Sequence, residues 1–357
     1  MSVLKTVYKQ TFIYGLATVV PRMLSFLLVR LHTDKSVLQN VSDYGDVSIV
    51  FAYFVLFNVI LAYGMETAFF RFFNKESSKA NVLSTATISI LVSSLGFLAL
   101  GLLFKQQIAD ITHIHVNYIS LVVWILFLDA LVIIPFAALR AYGKPVKYTV
   151  IKLTNVVVNL GLNIFLLLYL KALSVGNSFW DSIYVDNFEV SYIFIANLIA
   201  SGVTLLILLP FYFKINFKVD TVLWKKMLKY ALPVLVAGVA FSINETFDRV
   251  LLERLLPESI AKTSVGMYSA CYKLALFMML FATAYRLGIE PFFFSQSKTK
   301  DATKNYAKTL EFFVICGALI LLVVVVFVDV LKIILIPNEA YWEAMKVVPI
   351  LLLAYLF

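Results

Sequence analysis

Apolar residues in this chain do not alternate, nor do they keep to one helical stripe. They run almost unbroken for twenty or more positions and then give way to short polar stretches. A helix crossing a bilayer needs about 20 mainly apolar residues. Ten segments meet that need: 11–31, 44–70, 82–104, 116–139, 148–170, 190–213, 230–251, 264–290, 309–336 and a last one from 341 to the end. The longest connecting stretch, KALSVGNSFWDSIYVDNFE at 171–189, has about nineteen residues and no catalytic constellation. The pattern predicts an all-α, polytopic transmembrane helix bundle whose work is done between its helices.

Composition agrees. The chain is 62% hydrophobic and 14% charged, where a soluble domain has about 25% charged residues. Cys271 and Cys316 both lie in apolar runs, which reads as packing rather than a disulfide framework. The first apolar run lacks a small-residue cleavage site and is read as a retained helix.

The net charge of +9 could suggest a nucleic-acid partner, but its distribution excludes that reading. Lys and Arg concentrate in every second loop: Lys5 and Lys9; Arg71, Lys75 and Lys79; Arg140, Lys144 and Lys147; Lys214 to Lys229; Lys298 to Lys308. The alternate loops hold most of the acids, among them Asp34, Asp43, Asp110, Asp181, Asp186 and Glu339. By the positive-inside rule the basic set is cytoplasmic, and so is the amino terminus.

Residues 44–73 and 265–294 read as copies. Each opens with a glycine (Gly45, Gly266), has a tyrosine about nineteen residues on (Tyr63, Tyr285), then a glycine, a glutamate (Glu66, Glu290) and a phenylalanine cluster. The preceding helices each carry an early proline (Pro21, Pro233) and an outer-end arginine (Arg30, Arg249). Six helices separate the copies, so the repeat keeps its orientation, a parallel plan with the site between halves. The expected organisation is an N-terminal lobe at 1–213 with helices 1–6, a cytoplasmic linker at 214–229, and a partial C-terminal lobe at 230–357 with helices 7–10.

Ionisable groups at membrane depth are costly and often functional. Arg22 and Lys273 fall near mid-bilayer at a rise of ~1.5 Å per residue. In the fifth span, Tyr148, Lys152, Asn155, Asn159 and Asn163 are spaced by four, three, four and four, which puts them on one face. The asparagines read either as glue between helices or as the lining of a hydrated cavity for hydroxyl-rich cargo. Asp129, inside WILFLDALVII, reads as a proton or sodium ligand or as a counter-ion. Glu66, Arg140, Arg286 and Glu290 stand near cytoplasmic helix ends and read as interfacial. In SINETFDRV (242–250), Glu245, Asp248 and Arg249 lie close to the outer end of the seventh span. Glu245 and Arg249, four apart, are placed to pair, and the cluster reads as an outer gate or packing element. No residue pattern calls for a metal or cofactor.

The segments RLHTDKSVLQNVSDYGDVSIVFAY…YGMETAFFRFF, LRAYGKPVKYTVIKLTNVVVNLGLNIFLL (139–167) and YALPVLVAGVAFSINETFDRVLLERLLPESIAKTSVGMYSACYKLALF (230–277) resemble polysaccharide and oligosaccharide-lipid flippases. These belong to the multidrug/oligosaccharidyl-lipid/polysaccharide exporter superfamily. The resemblance implies a V-shaped bundle of two six-helix lobes in a bacterial inner membrane. It implies an alternating-access carrier for undecaprenyl-diphosphate-linked sugars, and an Asp-Arg signature at Asp248 and Arg249. PRMLSF (21–26) is similar to the lipid II flippase branch, which implies a cavity role for Arg22. That branch's second arginine is Leu28 here, so an O-antigen, capsule or exopolysaccharide unit is the expected cargo. On this reading Arg22 and Lys273 attract the diphosphate, and Lys152, Asn155, Asn159 and Asn163 bind sugars. H+ or Na+ drives the return, with Asp129 or Glu245 as ligand. Family members have twelve to fourteen helices, so the second lobe is expected to be truncated. The alternative is a cation-coupled multidrug or metabolite antiporter of the same superfamily. A glycosyltransferase or polymerase would want a sizeable outer loop bearing acids and arginines, which the chain lacks.

Overall fold

The computed structural model describes residues 19–24, 26–76, 78–296 and 302–356. Among the described residues there are helices and turns and no strand. The helices are α1 (19–24 and 26–32), α2 (Val41–Ala62), α3 (Met65–Lys75), α4 (Lys79–Leu103), α5 (Lys105–Thr112), α6 (Val116–Ala141) and α7 (Pro145–Ile164). A π turn at Phe165–Tyr169 carries α7 into α8 (Leu170–Ser174). Then come α9 (Ser178–Asp181), α10 (Glu189–Tyr212), α11 (Thr221–Leu255), α12 (Glu258–Gln296), α13 (Ala302–Val326) and α14 (Val328–Leu335). A 3-10 segment, Glu339–Val347, leads to α15 (Val348–Leu356).

Eight helical stretches among the described residues are long and apolar enough to cross a membrane. They match the second to ninth expected spans. The start of the first, 11–18, lies outside the described residues. The last, expected from 341 onward, is a 3-10 segment followed by nine helical residues up to Leu356. Local chemistry sets the ends. Asp220 caps α11 by accepting from the Leu223 N–H at 2.9 Å, and Pro145 opens α7 where a missing N–H costs nothing. The second span, expected as one helix, is broken between α2 and α3. Tyr63 (φ 31°) and Gly64 (φ 72°) take the left-handed region there. A Cβ on Gly64 would stand 2.4 Å from the Ala231 carbonyl oxygen. Residues 265–294, read from sequence as the second copy, lie within α12, which is helical throughout Glu258–Gln296.

The chain forms two compact units. One is made of the described residues of Asp46–Leu256, the other of 19–45 and the described residues of 257–356. The grouping is by contact and does not follow sequence order. α1 packs within the second unit, where Phe26 stacks on Phe277 with ring centroids 4.9 Å apart, and α11 packs within the first.

In the first unit, Ser89 of α4 joins α11 to the break between α2 and α3: Trp224 donates its indole N–H at 2.8 Å, and the Tyr63 hydroxyl is 2.7 Å away. Ser89→Ala strands the Trp224 indole N–H and leaves the Tyr63 hydroxyl with Ser93 alone. It is expected to lower stability by about 1–2 kcal/mol, read as a lower thermal unfolding midpoint in detergent; an unchanged midpoint would refute the network.

In the second unit, Gly45 and Gly266 face each other. A Cβ on Gly45 would lie 2.0 Å from the Lys262 carbonyl oxygen, and one on Gly266 would lie 2.3 Å from that of Val41. Small residues let helix backbones approach this closely within a bilayer.

Candidate functional site

A polar cavity of about 420 Å³ lies inside the first unit, within the size range of small-molecule sites. Five helices supply its walls. α2 gives Asn58 and, across the Tyr63–Gly64 break, α3 gives Glu66. α6 presents Asp129, Val132, Ile133, Phe136 and Arg140, a single face of a 3.6-residue helix. α7 presents Tyr148, Lys152 and Asn155, and α10 presents Asn197, Ser201 and Thr204. The last two triplets share one spacing, four then three, so each helix turns one polar stripe inward.

The charges balance, with two carboxylates (Glu66, Asp129) and two cations (Arg140, Lys152). Arg140 forms an ion pair with Glu66, and its guanidinium lies 4.8 Å from the Phe70 ring centroid and 5.8 Å from that of Tyr148. The Lys152 ammonium stands 4.4 Å from the Phe136 ring centroid. Asp129 has Ser201 as hydrogen-bonding partner and Lys152 as its opposite charge. The Asn155 amide donates to the Thr204 hydroxyl at 3.0 Å, and that hydroxyl donates to the Ala200 carbonyl at 2.8 Å. Amides and hydroxyls that both donate and accept, set among balanced charges, suit a ligand rich in hydroxyl groups.

The expected site residues divide. Lys152, Asn155 and Asp129 line the cavity. Asn159 and Asn163 continue the α7 stripe but lie beyond the lining. The Asn163 amide donates to the Asn159 side chain at 2.8 Å and to its main-chain carbonyl at 2.9 Å, and Asn163 is 1% exposed. The stripe is thus cavity wall at one end and packing at the other. Arg22 and Lys273 belong to the second unit, and neither lines this cavity. Arg22 is half-buried and donates to the Thr283 hydroxyl at 3.3 Å.

At the end of α11, Arg249 is buried, 8% exposed. It donates to the Asp248 carboxylate at 3.3 Å and to the Glu245 main-chain carbonyl at 3.0 Å. Glu66 and Arg140, read from sequence as interfacial, also form walls of the cavity. The side chains of Arg286 and Glu290 lie outside the described residues. Asn58, Asn197, Ser201 and Thr204 were not singled out in the sequence, although the α10 spacing repeats the α7 signal. Among the described residues no cluster of three or more His, Cys, Asp or Glu side chains is placed to hold a metal ion.

A family model described as "Polysaccharide biosynthesis protein" matches residues 7–285. A sequence comparison with curated proteins finds no match. Among solved structures, the fold is similar to a multidrug resistance MATE family transporter of the MOP superfamily in its inward-facing conformation. The TM-score is 0.68 at 12% identity, covering 96% of this chain and 82% of the other. It is also similar to a MATE protein in complex with MaD3S, with TM-score 0.61, 14% identity and coverage of 97% and 80%. A MOP superfamily transporter from Pyrococcus furiosus, described as having a binding pocket of reverse polarity, matches with TM-score 0.51 and 17% identity over 97% and 84%. The fold is therefore MATE-like, and eight of the described helical stretches are long and apolar enough to cross a membrane.

Proposed function

We propose, since this chain belongs to the polysaccharide biosynthesis protein family, that it is an alternating-access flippase for lipid-linked oligosaccharides. The cargo is an undecaprenyl-diphosphate-linked O-antigen, capsule or exopolysaccharide unit, and it crosses the bacterial inner membrane. The observation that carries this reading is the polar cavity, whose amides, hydroxyls and balanced charges match a sugar headgroup. Lys152 and Asn155, together with Asn58, Asn197 and Thr204, bind hydroxyls. Arg22 and Lys273 attract the diphosphate, and the lipid tail stays in the bilayer. Apart from α1 and α11, each of which packs in the opposite unit, the halves at 1–213 and 230–357, joined by 214–229, form the lobes of a parallel repeat. The test is polymer export in a strain lacking its own flippase: the chain restores export under this reading, and failure at normal membrane abundance counts against it.

The charge alternation supports a cytoplasmic amino terminus. Alkaline phosphatase fused after Gly176 is then active, and fused after Gly143 inactive. The reverse activities would overturn the orientation.

The second reading is a cation-coupled antiporter, favoured by the carboxylates of Asp129 and Glu66 in the same cavity. H+ or Na+ would then bind at Asp129. Efflux of a cationic dye that Asp129→Asn abolishes, with no polymer export, selects this reading.

A further inference from the structure

We propose that Arg30 and Arg254 form a reciprocal pair of latches, each pinning a crossing helix to the short helix of the opposite half of the chain. The two short helices are α5 and α14. Each has eight residues and follows a long span after one phenylalanine. Phe104 has φ −101° and ψ 17°, and Phe327 has φ −97° and ψ 14°. Each phenylalanine N–H bonds back into the preceding span, Phe104 to the Leu100 carbonyl and Phe327 to that of Val323, both at 2.9 Å.

A helix this short leaves its last four carbonyls without intrahelical donors, and its C-terminal end carries partial negative charge. In both helices the carbonyl of the seventh residue is taken by an arginine. Arg254 donates to the Ile111 carbonyl of α5, and Arg30 donates to the Ile334 carbonyl of α14. Arg254 is also held in place by Glu253, 3.2 Å away.

The arrangement is crosswise. Arg30 comes from α1, early in the chain, and holds α14 late in it; Arg254 comes from α11 and holds α5. The contact grouping follows the same exchange, with α1 in the second unit and α11 in the first. The chain passes between units at Gly45–Asp46 and at Leu256–Pro257, after the residues that make the latches. Ordinary capping would account for one such contact. Two, on the same position of two helices with matching entry geometry, make a paired device. Its consequence is that α1 and α11 move with the unit they have crossed into, not with their sequence neighbours.

Hydrogen–deuterium exchange on the whole chain in lipid nanodiscs tests this. Arg30→Ala is expected to speed amide exchange in α14 about tenfold or more and leave α5 unchanged, since a hydrogen bond from a charged donor is lost. Arg254→Ala is expected to do the reverse. Exchange that stays at the wild-type rate in the helix concerned, or that rises equally in both helices for either variant, overturns the proposal. If the alanine variants do not fold, Arg30→Gln and Arg254→Gln keep a neutral donor and serve instead. A smaller but still selective acceleration supports the latches, and an absent or shared one overturns them.

Discussion

Gly266→Val will leave little or no folded protein. The Cβ alone would stand 2.3 Å from the Val41 carbonyl oxygen and 3.1 Å from the Gly45 nitrogen. Both neighbours are backbone atoms of α2, so no side chain can swing aside. Relief requires moving one helix against the other along the whole crossing. Overpacking a fitted core costs about 1–3 kcal/mol, occasionally more, and a backbone-on-backbone clash belongs at the upper end. Gly45→Val should behave alike, since its Cβ would lie 2.0 Å from the Lys262 carbonyl oxygen. Gly96→Ala, Gly161→Ala and Gly202→Ala are the controls, because a Cβ at each of these meets nothing within 4 Å. In helix interiors those changes are expected to stabilise by about 0.5–1 kcal/mol. Size-exclusion profiles and unfolding midpoints of detergent-solubilised protein check the set. A monodisperse Gly266→Val protein with the wild-type midpoint would show that the glycine contact does not hold the second unit.

Lys152→Ala will reduce transport about tenfold or more without removing the protein from the membrane. The side chain lines the cavity, rests on the Phe136 ring and is the positive neighbour of Asp129. Its loss leaves one carboxylate without its local cation and removes a donor from the proposed headgroup site. A tenfold loss corresponds to ~1.4 kcal/mol, a modest demand for a charged group in a partly enclosed site. Lys152→Arg keeps the charge and is expected to retain part of the activity. Asn163→Ala, on the same stripe but outside the lining, is expected to affect stability more than transport. The experiment is polymer export normalised to membrane abundance. Equal losses for Lys152→Ala and Asn163→Ala would mean that the α7 stripe acts through packing alone.

The long helices were legible because a span writes itself as an unbroken apolar run, and eight of the ten expected spans lie among the described helices. The α7 stripe was legible for a similar reason, since Lys152 and Asn155 repeat at helical spacing among apolar residues. Its end was not. Whether an asparagine lines a cavity or bonds along its own helix, as Asn163 does with Asn159, depends on where neighbouring helices stop.

The α10 stripe of Asn197, Ser201 and Thr204 has the same spacing but is a weaker signal in sequence, carrying one amide and no charge. Small hydroxyls often satisfy themselves on their own helix, and Thr204 does so while also receiving Asn155. The Glu66–Arg140 pair joins residues far apart in sequence, and each alone reads as an ordinary helix-end charge. The break at Tyr63–Gly64 was hidden because a single glycine inside an apolar run gives no warning of a left-handed turn. The crosswise placement of α1 and α11 was also illegible. Sequence order suggests that each half folds on itself, and only a pairing such as Arg30 with Ile334 reveals the exchange.

The most direct test of the central claim, that the polar cavity carries a lipid-linked sugar across the bilayer, is a flipping assay in proteoliposomes. A fluorescent lipid-diphosphate oligosaccharide is incorporated, and dithionite reports the fraction of headgroups reachable from outside. The account predicts that the protein moves inner-leaflet headgroups into reach and that Lys152→Ala slows this about tenfold at equal reconstitution. Flipping by Lys152→Ala at the wild-type rate, or no flipping by a folded wild-type protein, would contradict it.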